Sequence, residues 1–141
     1  MNADDFSLDQ RLAGDTVGVC DWPLSRVLLI DDRRFAWLIL VPRRAGAAEV
    51  FDLNAGDQAQ LWREVTALAA QISQATGCRK VNIGALGNIV AQLHVHVVAR
   101  REGDAAWPGP VWGAGLAERY DAAAIKAEVE RWRALLRPPA D

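Results

Sequence analysis

The sequence predicts an α+β fold with a mainly antiparallel sheet of about five strands and two principal helices. Short apolar runs of β-type residues occur in hairpin-like pairs, and two longer segments show helical periodicity. Strands and helices do not alternate in the βαβ rhythm that builds a parallel sheet. The chain of 141 residues has the length of one compact domain, so we expect a single domain over 1–141 with its core at about 6–136.

The first predicted strands form a hairpin. Residues 26–30 are RVLLI, and residues 35–41 are the almost continuously apolar run FAWLILV. The four charged residues between the two runs predict a polar turn. A short edge strand is expected at 49–51.

Two segments repeat apolar residues at spacings of four, three and four, which predicts amphipathic helices. The stripes consist of Leu61, Val65, Leu68 and Ile72 in 57–76, and of Ile125, Val129, Trp132 and Leu136 in 121–136. Asp57 is expected as the cap or a first-turn acid of the first helix, and Gly77 as its stop. Asp121 is expected to cap the second helix.

A glycine-bearing loop separates the last two predicted strands. Residues 79–83 (RKVNI) and 90–99 (VAQLHVHVVA) read as strands, and 84–88 (GALGN) is the loop between them. Residues 101–116 are rich in Gly and Pro and contain two Trp residues, so an irregular loop is expected there.

Six Trp residues are many for this length. Trp62 and Trp132 lie on or beside the helical stripes and are expected in the core. Trp107 and Trp112 belong to the irregular loop, where they would either stack on a base or a dimer partner, or cover the core.

Composition and charge exclude several classes of function. The formal net charge is −2 and no basic run exceeds two residues, which argues against a long nucleic acid but permits a small phosphorylated ligand. The sequence contains neither an apolar stretch of membrane-spanning length nor a secretory signal, so we expect a cytoplasmic protein without a membrane partner. Cys20 and Cys78 lack a CxxC spacing and are expected as free thiols.

The segment QLHVHVV at 92–98 carries the most chemical information. Alternate side chains of a strand share a face, so one face would present Gln92, His94 and His96. The apolar residues that alternate with them would point into the core.

Three interpretations of this segment are open. The first is a solvated polar face without chemistry. The second is a metal site in which Cys20 or Cys78 and a carboxylate join the two histidines. The third is nucleophilic catalysis, in which one neutral imidazole attacks phosphorus and the other serves as acid. The preceding loop favours the third, because the backbone amides freed by Gly84 and Gly87 can bind phosphate oxygens.

The segment VNIGALGNIVAQLHVHVVAR resembles the signature of the histidine triad (HIT) family, His-φ-His-φ-His-φ-φ with φ apolar. The hairpin RVLLIDDRRFAWLILVPRR resembles the paired strands of that family. The resemblance covers about 25–100 and implies a HIT-like fold for the single domain.

The resemblance implies roles for three residues of the motif. His94 matches the nucleophile that attacks the α-phosphate, and His96 matches the histidine that contacts phosphate and helps the leaving group. Gln92 stands where the family has its first His, and it resembles a bacterial branch with Gln at this position. Many members have a further His upstream, near the position of Trp37.

The resemblance also implies substrate-binding residues. Asn88 matches an amide that contacts phosphate, and Gly87 precedes it in the loop. Asn82 lies where members often have an Asn near the site. Asp31 lies where a ribose-binding acid often ends a strand, although this alignment requires a short gap.

The implied function is a nucleotide hydrolase or transferase. It would cleave at the α-phosphate of a nucleoside phosphoanhydride, such as a dinucleoside polyphosphate, or of a phosphoramidate through a nucleotidyl-His94 intermediate. No cofactor or metal is required, although Mg²⁺ can accompany a polyphosphate substrate, and a homodimer is expected. The alternatives are a nucleotide-binding module with little turnover and, third, a metal-dependent hydrolase.

Overall fold

The computed structural model describes residues 5–141 and confirms the α+β fold. Its five strands are β1 (Thr16–Asp21), β2 (Ser25–Ile30), β3 (Ala36–Pro42), β4 (Lys80–Gly84) and β5 (Val95–Arg100). They form one sheet in the order β1-β2-β3-β5-β4, and each neighbouring pair is antiparallel. The strand β5, which contains His96, therefore lies inside the sheet, between β3 and the edge strand β4.

Within residues 5–141, three α-helices accompany the sheet: α1 (Gln10–Asp15), α2 (Ala55–Thr76) and α3 (Ala122–Leu135). The side chain of Asn54 caps α2 by accepting from the N–H of Asp57, so Asp57 is a first-turn acid. Gly77 ends α2 in the left-handed region at φ 61°, as glycine favours, and Asp121 caps α3. No helix in the described part of the chain is long and apolar enough to cross a membrane.

The helices α2 and α3 pack on one face of the sheet. The predicted stripe of α2 is fully buried there together with Trp132 of α3, which is 0% exposed. Trp62 was expected in the core, but this prediction is wrong because its side chain is 61% exposed. Trp62 follows Leu61 by one residue, which turns it about 100° away from the buried stripe.

The other face of the sheet is covered by α1 and by the segment 101–116, which consists of turns as expected. A second apolar cluster fills this layer: Leu12, Leu28, Phe35, Trp37, Ile39, Val41, Val98 and Val111. The even-numbered residues of β5 point into this layer.

Two short elements near the ends of the sheet differ from the expectations. The sequence analysis missed β1, because a register shift between Gly18 and Cys20 breaks the alternation that identifies a strand. The strand expected at 49–51 is wrong, since Val50–Asp52 forms a 3-10 turn. The carboxylate of Asp52 accepts from the N–H groups of Ala48 and Glu49, which holds the chain in that turn.

The strand expected at 90–99 is shorter than predicted and begins at Val95. The N–H of Leu93 donates to the carbonyl of Ala47 at 2.9 Å, outside the sheet. The segment 85–94 is therefore an irregular connection between β4 and β5. Gln92 and His94 lie in this connection, and His96 lies in the strand.

Candidate active site

The structure brings the two histidines together where the irregular segment enters β5. The ring centroids of His94 and His96 are 4.8 Å apart, with an interplanar angle of 63°. Each side chain is only 7% exposed. The two imidazoles are thus polar side chains at the edge of an apolar layer, with little exposure to solvent.

His94 has one ring nitrogen committed to the backbone. Its Nδ1 lies 2.7 Å from the carbonyl oxygen of Gln92. A carbonyl can only accept, so the hydrogen bond requires a proton on Nδ1. In the neutral ring, Nε2 then carries the free lone pair, which makes it the nucleophilic atom.

His96 has the opposite arrangement. The indole Nε1–H of Trp37 donates to Nδ1 of His96 at 2.9 Å, and the bond is buried. An indole nitrogen can only donate, so Nδ1 of His96 is unprotonated and its Nε2 carries the hydrogen. The register explains the contact, because Ile39 of β3 pairs with His96 and Trp37 lies two residues further along the same face.

Burial keeps His96 uncharged. Desolvation, assisted by repulsion from the neighbouring His94, lowers the pKa of His96 from 6.5 to about 3. The ring of Trp112 also packs against His96, at 5.4 Å between centroids. Gly84 makes room for this indole, since a Cβ at that position would lie 3.0 Å from Cη2 of Trp112.

Gln92 contributes its backbone to the histidines and its side chain to the N-terminal segment. Its Oε1 accepts from the N–H of Asp9 at 2.8 Å, and its Nε2 donates to the carbonyl of Ser7 at 2.8 Å. Both ends of the amide are therefore engaged in holding residues 7–9 beside the site. The carbonyl of the same residue orients His94.

A small cleft opens beside His94. It is lined by Ala48, Glu49, Ala85, Leu86, Gly87, Gln92, Leu93 and His94. Gly87 adopts φ 74°, which bends the connection around the cleft and is a conformation that favours glycine. The neighbouring Asn88 is exposed to solvent on this connection. The loop and His94 thus share one opening.

The other two residues implied by the resemblance have structural partners. Asn82 on β4 accepts a hydrogen bond from Arg100 at 2.8 Å through its Oδ1. Asp31 accepts from the N–H of Tyr120 at 3.0 Å and pairs with Arg119 at 3.1 Å, which fastens the end of β2 to the segment before α3. Neither residue lines the cleft beside His94.

The metal interpretation finds no complete ligand set in the part of the chain that the structure describes. Residues 5–141 contain no group of three or more His, Cys, Asp or Glu side chains arranged to hold an ion. Cys20 lies on β1 and Cys78 follows α2, and both are free thiols, as expected.

Sequence reasoning missed the two indoles around His96. The sequence analysis places Trp37 only near the position of an absent histidine. It expects Trp112 to stack on a base or a dimer partner, or to cover the core, and does not connect it with His96. Trp37 alternates with Ile39 and Val41 along β3, which places it on one face of that strand. The adjacency of β3 and β5 was the missing information, because these strands are far apart in sequence.

Residues 13–103 match the family model of the HIT domain. The structure resembles a histidine triad protein from Sinorhizobium meliloti 1021, with 50% identity, a TM-score of 0.91 and coverage of 96% of this chain and 100% of that chain. A histidine triad protein from Bradyrhizobium japonicum shares 46% identity, with a TM-score of 0.89 and coverage of 94% and 98%. One from Marinobacter aquaeolei VT8 shares 39%, with a TM-score of 0.91 and coverage of 96% and 98%. No curated protein matches the chain by sequence.

Proposed function

The chain belongs to the histidine triad (HIT) family, and from this premise we propose that it is a hydrolase or transferase that cleaves nucleotides at the α-phosphate. One observation carries the proposal. The two buried imidazoles have complementary protonation, with a free lone pair on Nε2 of His94 and a hydrogen on Nε2 of His96. A nucleophile and a hydrogen-bond donor thus stand side by side.

In the first step, Nε2 of His94 attacks the α-phosphorus and forms an N–P bond, while the bond to the leaving group breaks with its electron pair. The ring becomes positively charged because Nδ1 keeps its proton. The Nδ1–H of His94 donates a hydrogen bond to the carbonyl of Gln92, and this bond stabilises the positive charge on the ring. His96 donates from Nε2 to a phosphoryl oxygen as negative charge develops there.

In the second step, water attacks phosphorus and the N–P bond breaks, so that the electron pair returns to Nε2 of His94. The proton lost by the water passes to solvent, and the mononucleotide leaves. An alcohol or another acceptor in place of water gives transfer instead of hydrolysis. Both outcomes use the same nucleotidyl-histidine intermediate.

Phosphate recognition in this proposal belongs to the connection 85–94. Gly87 and His94 line one cleft, and the exposed amide of Asn88 stands on the same connection. Backbone N–H groups around a glycine with positive φ are suited to an anion. The covalent step uses no metal ion or other cofactor, and a polyphosphate substrate would bring Mg²⁺ as its counterion.

We extend the proposal to a homodimer of this protein. The strand β4 is an edge of the sheet, where unpaired backbone groups are available to a second strand. Three large apolar side chains are exposed on β4 and just after it: Ile83 at 41%, Leu86 at 43% and Ile89 at 79%. A second copy placed against this edge would cover them.

The test of the activity compares matched substitutions of the two histidines. Purified wild type, His94→Asn and His96→Asn are incubated with a diadenosine polyphosphate and with an adenosine phosphoramidate, and released AMP is measured. We expect wild type to release AMP from at least one of them, His94→Asn to release none, and His96→Asn to be slowed about 100-fold or more through loss of a phosphoryl donor. Nucleotide binding by wild type without AMP release would instead indicate a binding module.

A further inference from the structure

Resting on the proposed function, we infer that the Trp37–His96 hydrogen bond restricts this site to nucleotidyl donors whose leaving group departs as an anion. Phosphoanhydrides and acidic aryl esters belong to this class. Phosphoramidates of alkyl amines do not, because their nitrogen leaves only after it gains a proton. The inference selects among the substrates that the family resemblance leaves open.

The hydrogen bonding of His96 prevents it from acting as the general acid that protonates the leaving group. Its Nδ1 is occupied by the indole N–H of Trp37 at 2.9 Å, so this nitrogen cannot accept a proton without losing the bond. The hydrogen on Nε2 can be shared with an oxygen, but its complete transfer would leave an imidazolate anion. The rings of Trp37 and Trp112 pack against His96 and offer such an anion no compensating charge.

The other groups near the nucleophile do not replace this acid. The position of the first motif histidine holds Gln92, whose amide carries no titratable proton and is bonded to Ser7 and Asp9. Among the residues that line the cleft, the ionisable side chains are His94 itself and Glu49. The side chain of Glu49 is exposed to solvent, and the variant Glu49→Gln described below tests whether it takes part.

The bond changes show why the leaving group matters. When Nε2 of His94 attacks an anhydride or aryl ester, the P–O bond breaks and its electron pair stays on a phosphate or aryloxide oxygen that is stable as an anion. When it attacks an alkyl phosphoramidate, the pair would stay on nitrogen as a strongly basic amide anion. That departure requires a proton donor, which we infer the described residues around His94 do not supply.

The experiment measures how kcat/KM depends on the leaving group. The substrates are aryl esters of AMP whose phenols span acidic to weakly acidic pKa values, together with one alkyl phosphoramidate of AMP. Without an acid at the site, kcat/KM should fall about tenfold for each unit by which the phenol pKa rises, and the phosphoramidate should not be hydrolysed. A nearly flat dependence, or hydrolysis of the phosphoramidate at a rate comparable to the acidic esters, would overturn the inference.

Three variants assign the effect to its cause. Glu49→Gln should keep the steep dependence; a steeper dependence than in wild type would mean that Glu49 supplies a proton. Trp37→Phe should flatten the dependence at acidic pH by freeing Nδ1 of His96, and Trp112→Phe, which alters packing on the same ring, should not. Failure of the proposed function is distinguishable, because then no ester in the series is cleaved by wild type.

Discussion

Trp37 donates its indole N–H to Nδ1 of His96 across two neighbouring strands, in a buried hydrogen bond of 2.9 Å. This contact fixes which nitrogen of His96 carries hydrogen, as the Gln92 carbonyl does for His94. The two rings thereby receive opposite assignments although they are two residues apart. These opposite assignments are the basis of the proposal that His94 is the nucleophile and His96 the hydrogen-bond donor.

The tautomer of His96 should change when Trp37 loses its N–H. In wild type, the nitrogen chemical shifts of His96 should show an unprotonated Nδ1 and a protonated Nε2. In Trp37→Phe, the shifts should move toward a mixture of the two tautomers, because burial alone does not choose between them. These shifts are measured by NMR of protein labelled with nitrogen-15 at histidine. Trp112→Phe is the matched control, and equal shifts in both variants would show that packing sets the tautomer.

Buried neutral His96 should make stability depend on pH. Its pKa is about 3 in the folded chain and 6.5 as the ordinary value, so the unfolded chain binds more protons between these values. The free energy of unfolding should therefore decrease as pH falls from 6.5 toward 3, by up to about 1.4 kcal/mol per pH unit from this group. Urea denaturation of wild type and His96→Asn at several pH values isolates the effect. Parallel pH dependence in the two proteins would contradict it.

Glu64 should be a strong determinant of stability. Its buried carboxylate accepts from the backbone N–H groups of Leu24 at 2.9 Å and Ser25 at 3.0 Å, which joins α2 to the turn between β1 and β2. Glu64→Ala leaves both N–H groups buried without an acceptor, and we expect a loss of about 3 kcal/mol in urea denaturation. Glu64→Gln keeps one acceptor oxygen and should lose about half as much. Equal stability of Glu64→Ala and wild type would show that water replaces the carboxylate.

The proposed dimer should depend on the edge strand. Ile89→Asp places a charge in the exposed apolar group next to β4 and should convert a dimer to a monomer, as measured by light scattering during size-exclusion chromatography. Phe51→Asp is the matched control, because Phe51 is also largely exposed, at 78%, and lies outside β4 and the connection that follows it. A monomeric wild type, or a dimer that Phe51→Asp disrupts and Ile89→Asp does not, would contradict the placement.

The sequence predicted the elements whose signal is local. The stripe of α2 and its stop at Gly77 follow from spacing, and the hairpin of β2 and β3 follows from two apolar runs separated by charge. The strand β1 was not predicted because the register shift between Gly18 and Cys20 breaks the alternation of buried and exposed residues. The predicted strand at 90–99 was too long because the N–H of Leu93 donates to the carbonyl of Ala47 instead of to a neighbouring strand. No local sequence pattern indicates this contact.

The proximity of the two histidines could be predicted from the sequence, but the residues that surround them could not. A period of two predicts that His94 and His96 share one face. The structure brings their rings to 4.8 Å between centroids, although His94 precedes β5. The roles of Trp37 and Trp112 depend on sheet order and on the path of the segment 101–116, which are properties of the whole fold. The partners of Gln92, Asn82 and Asp31 are likewise long-range contacts.

The central claim is that Nε2 of His94 becomes covalently bonded to the nucleotide, and intact-protein mass spectrometry tests it most directly. Wild type, His94→Asn and His96→Asn are mixed with an acidic aryl ester of AMP, quenched within milliseconds without acid, and weighed, while free AMP is quantified in the same samples. We expect an increase in mass by one adenylyl group in wild type and in His96→Asn, located at position 94 by fragmentation, and none in His94→Asn. If His94→Asn releases AMP as fast as wild type does, and no sample shows an adduct, the account is contradicted.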